Sequence, residues 1–423
     1  MATPDNHASI VVIGAGAAGL MAALSAARAG GDVLLVERTK DGGRKILISG
    51  GGRCNILPSV LQPERYVTDS SPNTLKKLLR AWPLAEQRRF FEAELGMPLE
   101  LEEETGKLFP SSHRARDVRD TLVRRVHEAG AQVWFSATVT DVRPESGQWI
   151  VELDGAPPVL AERVVIATGG LSVPKTGSDG TGLRIAEALG HVVHPTYPAL
   201  TPLTADPHPQ AALAGVSGPV SVSAPNSRPP FRTTGGFLIT HDGWSGPTVL
   251  DASHLAIRGR ADGARQELLV SWTVHDAATW DDWLRGSSGT VRNTVAGEVP
   301  RRLADALLAE AGVDPATRLA QLRREDRRTL VEALTAWPMP WTGSAGYKKA
   351  EVTGGGVALD QVNPRTMESR VRPGLHLCGE VLDSFGPIGG HNFAWAWATG
   401  RAAGEGAHAG VASGEEESDR DTT

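Results

Sequence analysis

The sequence predicts an α/β fold with a parallel sheet, interrupted by inserted β-rich and helical segments. Three features predict it. A β-branched run, a glycine loop and an Ala-rich helix open the chain in that order over residues 10–29. An apolar run entering glycines returns at 163–170 and again at 375–380. Between those two, the composition shifts after His194 to Pro, Thr, Ser and Gly, and then to helix-forming residues.

Residues 1–8 read as a frayed start. Ile10 to Ile13 reads as a parallel strand, since a short continuous apolar run suits a strand covered on both faces. The helix follows from about Ala17 to Ala29, and Gly30-Gly31 ends it through left-handed backbone angles. Asp32 to Glu37 is the second strand, and Lys40 to Asn55, rich in glycine and basic residues, reads as loop. Helices are expected over 73–95, broken at Pro83, and over 114–129, where Val118, Leu122, Val123 and Val126 make the apolar face. Strands are expected near 131–135, 137–143, 148–153 and 163–168, with a helix starting at 182–189. Residues 195–253 suggest a small β domain or barrel, and 276–336 read as helical.

The chain has 423 residues, enough for two or three domains at roughly 100–200 residues each. Lys and Arg number 43 against 49 Asp and Glu, a net charge of −6 that argues against non-specific nucleic-acid binding. The two cysteines, Cys54 and Cys378, form no paired motif, so neither a disulfide framework nor a structural metal site is expected. The N-terminus lacks a signal-peptide pattern and no run of 18 apolar residues exists. The expectation is a cytoplasmic protein with a small-molecule substrate and no membrane or nucleic-acid partner.

Gly14-Ala15-Gly16-Ala17-Ala18-Gly19 is a G-x-G-x-x-G between strand and helix. The first glycine permits the turn, the second lets a pyrophosphate approach, and the third packs helix on sheet. Glu37, 18 residues past Gly19, ends the second strand, where a carboxylate accepts both adenosine ribose hydroxyls and repels a 2′-phosphate. This is a Rossmann-type nucleotide site. Asp41-Gly42-Gly43-Arg44-Lys45 and the ISGGGRCN run (48–55) bring glycines and cations behind it. Arg44 or Lys45 is placed to neutralise a pyrophosphate, or else lies on a solvated loop. Cys54 is either a redox thiol, which needs a partner thiol that no nearby residue supplies, or inert. Ala167-Thr168-Gly169-Gly170 and the Gly177–Gly182 loop are further glycine turns. Cys378-Gly379-Glu380 ends a strand, and Gly386 to Asn392 opens a helix. An acid there suits ribityl contacts, and a helix N-terminus favours an anionic reduced ring, which points to flavin over nicotinamide.

The stretches VVIGAGAAGLMAA, GGRKILISGGGRCN, GKLFPSSHRARDV, ATGGLSVPKTGSDGTG, FLITHDGWSGPTVLDAS, VTGGGV, NPRTMESR and CGEVLDSFGPIGGHNFAWAWATG span residues 10 to about 404. With them the chain resembles a bacterial flavoprotein family, the NAD(P)/FAD-dependent oxidoreductases, with aminoacetone-oxidase-like and bile-acid-operon reductase-like members. The resemblance implies a two-dinucleotide-binding-domain flavoprotein with inserted β-barrel-like and helical domains. The implied layout is an FAD-binding domain at 1–194 and 346–408, a β-rich insertion at 195–275, a helical insertion at 276–345 and a disordered acidic tail at 409–423.

The FAD-contacting set expected from motif and resemblance is Gly14, Gly16, Ala17, Ala18, Gly19, Glu37, Arg38, Gly43, Arg44, Lys45, Gly52, Arg53, Cys54, Ala167, Thr168, Gly169, Gly379, Glu380, Gly390, Asn392 and Phe393. The chain departs from the family at His391, often Tyr there, and at Ile56-Leu57-Pro58, often Val-Thr-Asn. Both bear on the substrate. His391 and His241 are the candidate proton-transfer groups, each with a plain alternative as a packing or loop histidine. Lys348, Lys349 and Glu351 read as solvated, and Trp395 and Trp397 as core.

The expected activity is hydride transfer between a small organic substrate and flavin N5. Only one G-x-G-x-x-G is visible, so NAD(P)H as donor would bind transiently at the flavin face. Two other readings remain: an amine oxidase passing electrons to oxygen, and a non-catalytic flavin-binding protein acting in RNA modification or as a redox-responsive partner.

Overall fold

The computed structural model describes residues 6–261, 263–286 and 288–421, with the backbone alone over 413–421. The chain forms two compact units, Met1–Thr196 with Val352–Thr423, and Tyr197–Glu351.

The first unit is the α/β body. It contains β1 (His7–Ile13), α1 (Ala17–Arg28), β2 (Val33–Glu37), α2 (Arg44–Ile48), α3 (Ala115–Glu128), β3 (Gln132–Phe135), β4 (Val139–Glu145), β5 (Gln148–Leu153), β6 (Ala156–Ile166), α4 (Thr181–Ala188), β7 (Leu375–Leu377) and α5 (His391–Asp421). The parallel strands run in the order β3, β2, β1, β6, with Val11 opposite both Leu34 and Val164. The far half of β6 also pairs with β7 in parallel, Leu375 opposite Val164. Its near half turns back on β5 and β4 as an antiparallel hairpin, Trp149 opposite Ala161. Every residue of β2 is buried, as an unbroken apolar run requires of a strand covered on both faces.

Helix α5 packs backbone-close on α1. A Cβ at Gly400 would stand 2.3 Å from Ala18 O, and one at Gly404 2.1 Å from Ala22 O, so only glycine allows the approach. The last helix is thereby fixed over the start of the first. Short helices at Pro72–Ala81 and Leu84–Arg89 flank Pro83, as expected.

Three local expectations change. Within the 40–55 loop, Arg44–Ile48 is helical, started by left-handed Gly43 and anchored by buried Ile46. Of the frayed start, residues 1–5 lie outside the described residues, while His7 and Ala8 pair with β6. The expected disordered tail is helical as far as Asp421, because Ala and Glu extend α5 readily; residues 422–423 lie outside the described residues.

The second unit holds an antiparallel sheet whose longest strands are Ser217–Ala224 and Phe231–Ile239. Its end strands, Trp337–Pro338 and Gly343–Ser344, come from one short segment, so the sheet curls back toward its own start. Helices over Ala277–Gly286, Val291–Ala296, Arg301–Glu310 and Arg324–Thr335 match the helical reading of 276–336. The β-rich and helical insertions, expected as separate domains, share one core: Val222, Trp244 and Val270 pack in the same cluster as Trp280, Leu307 and Leu334.

Candidate functional site

The glycine loop leaves β1 with three distinct roles for its glycines. Gly14 has φ +99° and donates its N–H to Val36 O at 2.8 Å. A Cβ on Gly19 would stand 1.8 Å from Gly14 O, so the helix touches the turn there. Gly16 differs: nothing lies within 4 Å of where its Cβ would be. It precedes Ala17, the first residue of α1, and no side chain caps that helix or places an acid in its first turn. Uncapped N–H groups, the positive helix end and an open gap together suit a pyrophosphate. Ala18 is buried behind the gap.

Glu37 is buried at the end of β2. Its Oε2 accepts the Ala15 N–H and its Oε1 the Thr39 N–H, both at 2.7 Å. A carboxylate has about four acceptor positions, so two remain for ribose hydroxyls. Arg38 pairs with Asp179, fastening the 177–182 loop to the end of β2.

Each expected cation has its own carboxylate. Arg44 Nε meets Asp41 Oδ1 at 2.9 Å. That hydrogen bond, with Arg44 and Arg119 charge, holds the Asp41 carboxyl below its usual range. Lys45 Nζ meets Glu380 Oε2 at 2.6 Å. Arg53 meets Glu102 at 2.9 Å and lies 4.1 Å above the Phe109 ring. The positive potential of the cradle therefore comes mainly from the α1 N-terminus.

The cradle closes around that terminus. The Gly43 N–H donates to Ala15 O at 2.7 Å on one side. On the other, a Cβ at Gly379 would stand 2.7 Å from Ala18 Cβ. Gly379 is held by Thr399 Oγ1, which accepts its N–H, and by Trp395 Nε1, which donates to its carbonyl. At the end of β6, the Ala167 N–H donates to Ile13 O, and Gly169 backs onto Ser178. Thr168 Oγ1 is buried with no partner among the described residues. Gly52 is left-handed, like Gly50 and Gly51.

Cys54 is fully buried, and burial pushes its thiol up to about 12 against a weaker pull from Ser49. Cys378 is raised in the same way. Both are free thiols, so Cys54 fits the inert alternative.

At the start of α5, Asn392 braces the preceding turn: its Oδ1 accepts the Gly386 N–H and its Nδ2 donates to Gly386 O. Gly390 abuts Leu57, and Phe393 stacks on Trp397 at 5.3 Å. His391 is 6% exposed and meets Tyr66 edge-on at 5.9 Å. Burial, then Arg65, lower its pKa to about 4, so the ring is neutral at pH 7. His241 lies in the second unit, exposed on the turn after Ile239, beside Thr204, Asp206, His208 and Asp242. The two candidate histidines thus belong to different units.

Two polar residues absent from the expected set join this site. Ser172 Oγ contacts Lys45 Nζ at 2.6 Å and donates to Glu380 Oε1 at 2.5 Å. Thr353 lies against the same segment. Both sit beside glycines of motifs already noted, ATGGLS and VTGGGV, but nothing in the sequence brings those two motifs together.

The model of the HI0933-like protein Rossmann domain matches residues 8–406. The chain belongs to the HI0933-like family. It is 35% identical over 398 residues to the ribosomal RNA dihydrouridine synthase of Escherichia coli, covering 92% of this chain and 95% of that one. It is 32% identical over 410 residues to the 3-dehydro-bile acid delta(4,6)-reductase of Clostridium scindens, covering 94% and 98%. The ribosomal RNA dihydrouridine synthase of Haemophilus influenzae matches at 31% over 405 residues, covering 93% and 97%. In fold it is similar to a flavocytochrome c3 fumarate reductase (TM-score 0.53, 19% identity, 97% of this chain and 79% of that one). This HI0933-like protein is an FAD-dependent oxidoreductase, and its cradle fits the cofactor. Among the described residues no helix is long and apolar enough to cross a membrane, and no cluster of three metal-binding side chains occurs.

Proposed function

We propose that this protein saturates a carbon–carbon double bond conjugated to a carbonyl, that the substrate is uridine in ribosomal RNA, and that NAD(P)H is the electron donor. The observation that carries the reading is the likeness, over more than nine-tenths of the chain, to two ribosomal RNA dihydrouridine synthases. The bile-acid relative supports the reaction class independently. A double bond of a 3-keto Δ4,6 steroid and the C5–C6 bond of uracil are both conjugated to a carbonyl.

FAD held in the cradle and reduced by the nicotinamide would supply the hydride chemistry for the β-carbon of such a bond. The carbonyl takes the displaced electron pair, and the α-carbon then accepts a proton, so one NAD(P)H and one proton are consumed per bond. The chain's part is to hold and orient. The α1 N-terminus and Glu37 hold the dinucleotide half, and His391, neutral at pH 7 and hydrogen-bonded to the Val60 and Ile388 backbone, carries no proton to give. With a single glycine fingerprint, donor and substrate use the same face in turn. The net charge of −6 bears only on non-specific binding, while a nucleotide lifted from its strand needs a pocket.

The test is anaerobic mixing of the full-length yellow protein with NADH or NADPH, then with ribosomal RNA lacking dihydrouridine. Expected are bleaching by a nicotinamide, RNA-dependent recolouring, and a uridine nucleoside heavier by two hydrogens. Recolouring by a steroid dienone but not by RNA would keep the reaction class and remove the RNA. Peroxide from amines in air, without either, would replace the reading with the amine oxidase.

A further inference from the structure

Four segments far apart in sequence meet in one polar cluster of the first unit. Lys45 comes from α2, Ser172 from the turn after β6, Glu380 from the turn after β7, and Thr353 from the strand Val352–Val357. Lys45 Nζ contacts both Glu380 Oε2 and Ser172 Oγ at 2.6 Å. Glu380 Oε1 accepts from Ser172 Oγ and from the Thr353 N–H at 2.9 Å. Thr353 Oγ1 accepts two backbone N–H groups, Leu171 at 2.7 Å and Ser172 at 3.1 Å. A Cβ on Gly170 would stand 2.4 Å from that same oxygen, so the turn after β6 is threaded directly against Thr353.

The cluster adjoins the cradle on both sides. Lys45 lies two residues beyond Gly43, whose N–H is bonded to Ala15, and Glu380 follows Gly379, which backs onto Ala18. Its chemistry then says what it receives. Lys45 and Glu380 cancel in charge, so a second phosphate is not the ligand. Lys45 has three N–H donors and uses two, and Glu380 Oε2 accepts only Lys45. A spare donor beside a spare acceptor, with no net charge, matches the hydroxyls of a polyol. FAD carries such a chain, the ribityl, on the side of its pyrophosphate away from the adenosine.

We propose that Thr353 is the positioning residue of this cofactor site: its hydroxyl oxygen fixes the Leu171–Ser172 backbone, which holds Ser172 and Lys45 on Glu380 to receive the ribityl hydroxyls. Thr353 touches the turn and Glu380, and it acts on the cofactor through them.

The test compares two ligands on full-length protein freed of flavin. ADP has the adenosine and the pyrophosphate but no ribityl chain. Thr353→Val is expected to raise the FAD dissociation constant about tenfold and leave that of ADP within twofold. Thr353→Ser, which keeps the oxygen, restores FAD affinity, and Ser172→Ala weakens FAD but not ADP. Equal losses for FAD and ADP in Thr353→Val, or unchanged FAD affinity, would overturn the assignment. Should Thr353→Val fail to fold, Ser172→Ala decides by the same FAD-to-ADP split. Because ADP binding is read without turnover, this outcome is independent of the proposed substrate.

Discussion

Replacing Gly16 with alanine separates folding from cofactor binding at a single methyl group. The backbone there, φ −77° and ψ −171°, is one that any residue adopts. The new Cβ would meet nothing within 4 Å in the protein. The folding cost is that of a poorer helix N-cap, about 0.5–1 kcal/mol, or about one degree of melting temperature in a protein of this size. The gap it fills is the one the pyrophosphate needs, and a 100-fold loss of FAD affinity is expected. At FAD concentrations 100 times the native dissociation constant, the native protein gains about 2.7 kcal/mol of stability, whereas the variant gains only about 0.4 kcal/mol. Gly19→Ala is the contrast: its Cβ at 1.8 Å from Gly14 O forces α1 off the turn, which costs about 1–3 kcal/mol or more with or without cofactor. The assay is thermal melting of both variants, with and without FAD. A Gly16→Ala protein that keeps the full FAD-dependent gain, or melts as low as Gly19→Ala without FAD, would refute the reading of the loop.

Further outcomes follow from groups around the cradle. His391 titrates near 4 when folded and near 6.5 when unfolded, so the unfolded chain binds the extra proton between those values and stability falls as pH drops through that window. His391→Gln should flatten that fall by an amount on the order of 3 kcal/mol, read from denaturant midpoints at pH 7 and pH 4.5. Buried His254, also near 4, adds to the native slope and remains in the variant. Both cysteines should resist a thiol reagent until the protein unfolds, and Cys54→Ser should leave flavin reduction by the proposed nicotinamide donor within about twofold, as a neutral buried thiol requires. Glu37→Ala leaves the Ala15 and Thr39 N–H groups without their acceptor, about 1–3 kcal/mol, and FAD titration should show at least a tenfold weaker complex.

The parts of the fold written locally were legible in the sequence. β1, α1 and β2 follow from an apolar run, a glycine turn and an alanine-rich stretch, and Glu37 stands where that pattern places it. Helix α2 was not legible, because its cations lie between glycine runs that look like loop, and the burial of Ile46 that anchors it appears only on folding. The roles of Arg44, Lys45 and Arg53 were hidden for a related reason: their charges are visible in sequence, but Asp41, Glu380 and Glu102, which cancel them, are partners found only by folding. The role of Thr353 was hidden although its VTGGGV motif was visible: its contact with Leu171 spans 182 positions, and nothing in the sequence brings the two together.

Those pairings have a consequence for how the cofactor is held. If free cations gripped the pyrophosphate, salt would loosen FAD strongly, since exposed charges are screened beyond about 10 Å at 0.1 M. Here Arg44, Lys45 and Arg53 each sit within 3 Å of a carboxylate, and the attraction left is from uncapped N–H groups at the start of α1, which act at hydrogen-bond range. Salt screens contacts that short only weakly. The FAD dissociation constant should therefore change by less than about threefold between 50 and 500 mM salt. Neutralising Glu380 by Glu380→Gln frees the Lys45 charge and should introduce the missing salt dependence. A steep salt dependence in the native protein would mean that these cations leave their carboxylates for the phosphates when FAD binds, and the picture of a charge-balanced cradle would fail.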